Sequence, residues 1–100
     1  IMPEFSTFFN MGKPEKKLNS KETLLALRYL LASEYEAIQM YEQVIDALEN
    51  KLAKKVLGDI TKEEKEHIGE LKKLIEILYP EELEHYEEGA GEVEEMMEEE

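Results

Sequence analysis

Glu34, Glu64 and His67 combine residue types and spacing that could hold a metal ion. Carboxylate oxygen with some imidazole suits hard and borderline cations. Glu64 and His67 stand three residues apart, so on a helix their side chains share a face and point the same way. The chain has no cysteine. That excludes disulfides, thiolate zinc sites, cysteine nucleophiles and rubredoxin-type iron. Only two histidines are available, His67 and His85, so any metal chemistry must rest mainly on carboxylates.

The elements that would position these residues are two long helices. Asn19 followed by Glu22 has the form of a capping box, with Asn in the Ser/Thr place, and Leu24 opens a periodic apolar run. The first helix is therefore expected to start near Ser20. No Gly or Pro interrupts it, and Glu49-Asn50-Lys51 is the one weak point before the pattern resumes in a new phase. A tight turn is expected there. The second helix should run to Tyr79, because Pro80 disfavours helical geometry in the residue before it and lacks a backbone donor. Gly58 inside that helix costs about 1 kcal/mol relative to Ala. Pro80 suits the start of a short third helix, Glu81 to Glu88, which Gly89 and Gly91 should close.

Steps of three and four along the first helix give Leu24, Leu27, Leu31, Glu34, Ile38, Tyr41, Ile45 and Leu48. Glu34 is the exception on an apolar and aromatic seam. The same steps along the second give Ala53, Leu57, Ile60, Glu64, His67, Leu71, Leu74 and Leu78, with Glu64 and His67 as exceptions. An unpaired carboxylate on a seam costs several kcal/mol, so something must compensate it. In an antiparallel hairpin turning near Asn50, facing residue numbers sum to about 101, as Glu34 and His67 do. The three polar residues are thereby expected at one level.

Glu from one helix with Glu-x-x-His from its neighbour is the ligand pattern of carboxylate-bridged di-iron bundles, which use the set twice. One chain holds half of it. A two-fold dimer of hairpins would supply four glutamates and two histidines around two metals and cover seams that a lone hairpin exposes. The expected fold class is all-α: an antiparallel two-helix hairpin plus a short C-terminal helix, dimerising into a ferritin-like four-helix bundle. The competing reading is a polar layer that sets register or oligomer state without metal.

The rest of the chain narrows the partners. Its 100 residues make one small domain near the lower limit for a self-sufficient core, so association is expected. A formal charge of −13 argues against the basic surface that nucleic-acid binding needs. Eleven glutamates and no Lys or Arg lie from Glu81 to Glu100, so residues 1–80 carry only −2. No stretch is apolar enough to span a membrane and no secretory leader is evident, which makes a cytoplasmic protein the expectation. Residues 1–10 match nothing downstream in composition, and Met11-Gly12-Lys13 reads as a natural start. The organisation expected is thus an N-terminal arm at 1–19, partly vector-derived or an ordering arm, a ferritin-like hairpin at 20–80, and a short helix with an acidic tail at 81–100. The glutamate run from Glu92 reads as a solvated, frayed tail, a linker to a fused domain, or a docking helix using Val93, Met96 and Met97.

Ser33-Glu34-Tyr35-Glu36-Ala37-Ile38-Gln39-Met40-Tyr41-Glu42-Gln43, followed by Glu63-Glu64-Lys65-Glu66-His67, resembles the encapsulated ferritins, and more distantly the rubrerythrins and encapsulin-fused ferritin-like domains. The likeness covers about residues 20–80. It implies a ferroxidase that oxidises Fe(II) to Fe(III) at a di-iron centre shared between two chains, for iron storage and detoxification. By position, Glu34, Glu64 and His67 would bind iron, two Fe per dimer interface. Tyr41, one heptad beyond Glu34, would sit beside the centre and could donate a hydrogen bond there, although an ordinary core tyrosine reads equally well. Glu36 matches a position that attracts metal on the outer side.

The resemblance also implies a homodimer assembling into a ring-shaped decamer, an encapsulin shell protein as partner, and a place inside an encapsulin nanocompartment. Ser33 departs from the pattern, where Glu is common. No recognisable capsid-targeting peptide ends the chain, and the cysteines of a rubrerythrin electron-transfer module are missing. The alternative is a non-catalytic helical assembly or shell-anchoring module with a structural or zinc-binding layer.

Overall fold

The computed structural model describes residues 17–100 as three helices: α1, Ser20–Ala47; α2, Lys51–Leu78; and α3, Pro80–Glu98. The expected arm at residues 1–10 and the start at Met11 lie outside the described residues.

Local chemistry sets the helix ends. The Asn19 side chain accepts from the Glu22 amide at 2.8 Å, while the Glu22 carboxylate accepts from the Asn19 amide at 3.0 Å. This is the expected capping box, and it satisfies two otherwise unpaired donors. Residues 48–50 form the turn: α1 closes through the Leu48 amide on the Ile45 carbonyl, and the Asn50 side chain accepts from the Ala53 amide at 2.9 Å to open α2. At the far end Tyr79, barred from helical geometry by Pro80, makes the corner into α3 with φ −135° and ψ 70°. Its hydroxyl donates to the Ser20 carbonyl at 2.7 Å, which ties the end of α2 to the start of α1.

All eight expected seam positions of α1 are buried or half-buried, with Leu27 and Ile38 innermost. In α2 the seam differs from the expectation. Its buried residues are Thr61, Ile68 and Ile75, with Ala53 and Leu57 half-buried before them and Glu64 and Leu71 half-buried between them. Of the expected positions, His67, Leu74 and Leu78 are exposed, and Ile60 is half-buried. The reason is that α2 carries two apolar stripes side by side. Ile60 and Thr61, His67 and Ile68, and Leu74 and Ile75 sit only about 100° apart around the helix, and the hairpin takes the second of each pair.

The third helix is 19 residues long, which corrects the expected stop at Glu88. Gly ends a helix by taking the left-handed position just beyond it. Neither Gly89 nor Gly91 has a positive φ, so the helix runs through both to Glu98. Its root is fixed on the hairpin by the chain's only arginine. Arg28 pairs with Glu82, and the Tyr86 hydroxyl donates to the same carboxylate at 2.6 Å. The first two turns of α3 also close a small apolar cavity with Leu31, Lys72, Ile75 and Glu76. The overall extents of 53 × 45 × 22 Å leave the distal half of α3 projecting past the hairpin, since two adjacent helices span only about 20 Å.

Hydrogen bonds from Arg28 and then Tyr86 hold the Glu82 carboxyl below its ordinary range. A depressed carboxylate contributes stability above its unfolded pKa and loses it as pH falls through the lowered one. The pair is partly exposed, so the contribution is at most about 1 kcal/mol. Acidification below about pH 4 should therefore lower the amide protection factors in α3 several-fold before the hairpin melts, whereas an Arg28→Met variant should show lower protection already at neutral pH. Equal α3 protection in the two proteins would refute this anchoring.

Candidate metal centre

Halfway along the hairpin, α1 contributes Glu34 and α2 contributes Glu64 and His67. The seam spacing of α1 turns Glu34 toward α2 in line with Leu31 and Ile38, and the capped start of α2 sets the level of the other two. His67 Nδ1 lies 3.5 Å from Glu34 Oε2 and 3.7 Å from Glu64 Oε2. One donor atom from each residue falls within 4.8 Å of the others, and this is the sole such group of three among the described residues. The level match expected from the numbers 34 and 67 is thus observed.

Burial grades across the group. The side chains of Glu64, Glu34 and His67 are 19%, 24% and 48% exposed. Glu34 Oε2 is fully covered and has no hydrogen-bond partner. The His67 nitrogen approaches it within ion-pair distance but makes no hydrogen bond. A covered carboxylate oxygen without a donor is costly. Oxygen and imidazole donors on one first-row ion, each at about 2 Å from it, stand roughly 3 Å apart. The observed gaps need only small rotations to reach that, so the donor set fits such an ion.

Tyr41 and Glu36 do not join the group. Tyr41 is half-buried, lines a shallow apolar cleft with Ala37, Met40, Val44 and Leu57, and makes no hydrogen bond among the described residues. Glu36 is half-buried and about 200° around α1 from Glu34.

The group sits beside an open apolar face. On this side of the hairpin α1 presents Leu30, Tyr41 and Val44, and α2 presents Val56, Leu74 and Leu78, most of them about half exposed. This second stripe was not separated from the seam by spacing alone. The Arg28–Glu82–Tyr86 anchor was also missed, since no local pattern links residues 54 positions apart; the lone arginine was its only signal.

A helical hairpin with Glu on one arm and Glu-x-x-His on the other defines a ferritin-like helical domain. No family model matches the sequence. The chain is 36% identical over 90 residues to the ferritin-like-encapsulin shell fusion protein of Pyrococcus furiosus, covering 90% of this chain and 25% of that protein. It is 32% identical over 84 residues to the encapsulin nanocompartment cargo protein EncC of Myxococcus xanthus, covering 84% of this chain and 63% of that one. Its fold matches the crystal structure of the encapsulated ferritin domain from Pyrococcus furiosus with a TM-score of 0.79 and 34% identity, over 83% of this chain and 85% of that one. The chain belongs to the encapsulated ferritin family. It spans a quarter of the fusion protein and less than two thirds of the cargo protein.

Proposed function

We propose that the protein is a ferroxidase whose metal centre is completed by a second copy of the chain. Ferrous iron is the substrate, held by Glu34, Glu64 and His67 of each copy, and two ferrous ions supply the two electrons that reduce one O2 to the peroxide level. Carboxylate-rich ligation favours the ferric product, because anionic oxygen donors suit the harder ion. Within this chain Glu34 and Glu64 bind and neutralise charge. His67 orients from the exposed edge of the group, where the second copy's ligands would approach. Tyr41, one heptad along on the same open face, is proposed as a hydrogen-bond donor near the centre, and Glu36 as an outer carboxylate that attracts cations.

The observation that carries the reading is the covered, unpaired Glu34 Oε2 facing a histidine nitrogen 3.5 Å away. A purely structural polar layer would be expected to satisfy that oxygen with a donor. The open apolar face around the group supports a two-fold dimer forming a four-helix bundle, with dimers joining into a ring-shaped decamer. The organisation at 20–80 and 81–100 then divides catalytic hairpin from accessory helix. Likeness to a shell fusion and to a shell cargo protein supports an encapsulin partner and a place inside an encapsulin nanocompartment, which would store the iron oxidised outside any cavity of the ring itself.

Oxygen uptake on adding ferrous iron tests the activity. The expected outcome is rapid consumption of about one O2 per two Fe(II) in the first turnover, with ferric absorbance rising in step. Oxidation no faster than in buffer, together with tight zinc binding, would favour the non-catalytic module instead.

A further inference from the structure

The shallow cleft beside the metal centre holds a reductant that the proposed reaction does not use. Its lining is Ala37, Met40, Tyr41, Val44 and Leu57, five side chains without a charge. Ala37 stands three residues from Glu34, so the cleft begins one turn from the centre on the same helical face. The Met40 thioether is the hairpin's only sulfur. Met40 points about 100° away from Tyr41 around α1, at the margin of the open apolar face, and is 50% exposed. The other methionines among the described residues, Met96 and Met97, are 61% and 69% exposed on the projecting half of α3.

These surroundings sort what can travel along the cleft. An uncharged lining gives a ferrous ion nothing to compensate its lost hydration, whereas hydrogen peroxide is neutral and small enough to follow it. A thioether is soft, polarizable and readily oxidised. With no cysteine in the chain, no thiol competes for a two-electron oxidant.

We infer that Met40 is an oxidation site that consumes peroxide leaving the metal centre. This role rests on the ferroxidase reading, which supplies peroxide as the two-electron reduction product of O2. The sulfur lone pair attacks one peroxide oxygen, and a sulfur–oxygen bond forms as the oxygen–oxygen bond breaks. The proton of the transferred hydroxyl joins the departing hydroxide as water. Thioether plus H2O2 thus gives sulfoxide plus H2O, with sulfur oxidised by two electrons and peroxide reduced by the same two. A methionine sulfoxide reductase reverses the change, so one side chain can serve repeatedly.

The full chain supplied with ferrous iron in air, with catalase present to destroy free peroxide, tests the role when each methionine is followed by peptide mass spectrometry. Proximity to the source should oxidise Met40 on the order of tenfold faster than Met96 or Met97. Hydrogen peroxide added without iron should instead follow exposure and favour Met97 and Met96. Glu34→Ala, given iron in the same way, should lose the Met40 preference. Met40→Leu conserves volume, so first-turnover iron oxidation should stay within about twofold of the parent. Peroxide released per iron by that variant, measured without catalase, should rise above the parental level. The inference is overturned, with the ferroxidase reading left standing, if turnover oxidises Met40 no faster than Met96 and Met97, if added peroxide alone shows the same Met40 preference, or if Met40→Leu releases no more peroxide than the parent. A parent that oxidises iron no faster than buffer strikes that reading and this role with it.

Discussion

Glu34→Ala and Glu64→Ala should abolish fast oxidation of ferrous iron while leaving the iron-free protein as stable as the parent or more so. The reason lies in what each carboxylate does without metal. Glu34 Oε2 is covered and unpaired, and it shares a 4.8 Å group with Glu64. In the proposed dimer two such groups meet, and four carboxylates repel one another. An unsatisfied buried polar group costs about 1–3 kcal/mol. Removing it offsets the lost packing of one methylene, so the iron-free melting temperature should hold or rise by a few degrees. First-turnover oxidation should fall at least about 100-fold, since a first-row ion loses a direct ligand.

His67→Ala removes no negative charge, so it should lose the activity without gaining stability. Glu66→Ala is the control: its side chain is exposed and one position off the group, and it should match the parent in both measurements. Calorimetry of iron-free protein beside stopped-flow oxidation separates the readings. A polar layer that merely held the hairpin would melt early in both glutamate variants and leave the oxidation rate untouched.

Iron itself should drive assembly. If each centre is split between two chains, metal binds the dimer and not the monomer, so binding free energy adds to the interface. At a free metal concentration about 100-fold above the dissociation constant, the linked gain is about 2.7 kcal/mol, a roughly 100-fold shift in the monomer–dimer equilibrium. The face that would close is already apolar. Leu30, Val44, Val56, Leu74 and Leu78 are about half exposed or more around the site, and covering them would supply the metal-independent part. Native mass spectrometry under anaerobic conditions should show monomer converting to dimer and larger species with ferrous iron, and Glu34→Ala should blunt the response. An identical distribution with and without iron would end the shared-centre model.

The acidic residues of α3 bear on neither effect directly. They are expected to collect cations only weakly, through a field that salt screens over about 8–10 Å. Their arrangement along one continuous helix nevertheless makes them a surface and not a frayed tail.

Much of this protein is readable from local chemistry. Asn19, Asn50 and Pro80 set the helix ends because capping and the proline restriction act within a few residues. The level of Glu34, Glu64 and His67 followed from arithmetic, since a three-residue turn between straight helices leaves little freedom in register. The tertiary structure decided the face. Both Ile60, His67, Leu74 and Thr61, Ile68, Ile75 satisfy steps of seven along α2, and only packing against α1 selects the second set. His67 is thereby left at the edge, 48% exposed, where a site completed from outside needs it. The persistence of α3 through Gly89 and Gly91 was equally beyond local rules. Glycine permits a helix stop without requiring one, and the anchoring of α3 depends on Arg28 meeting Glu82 across 54 residues.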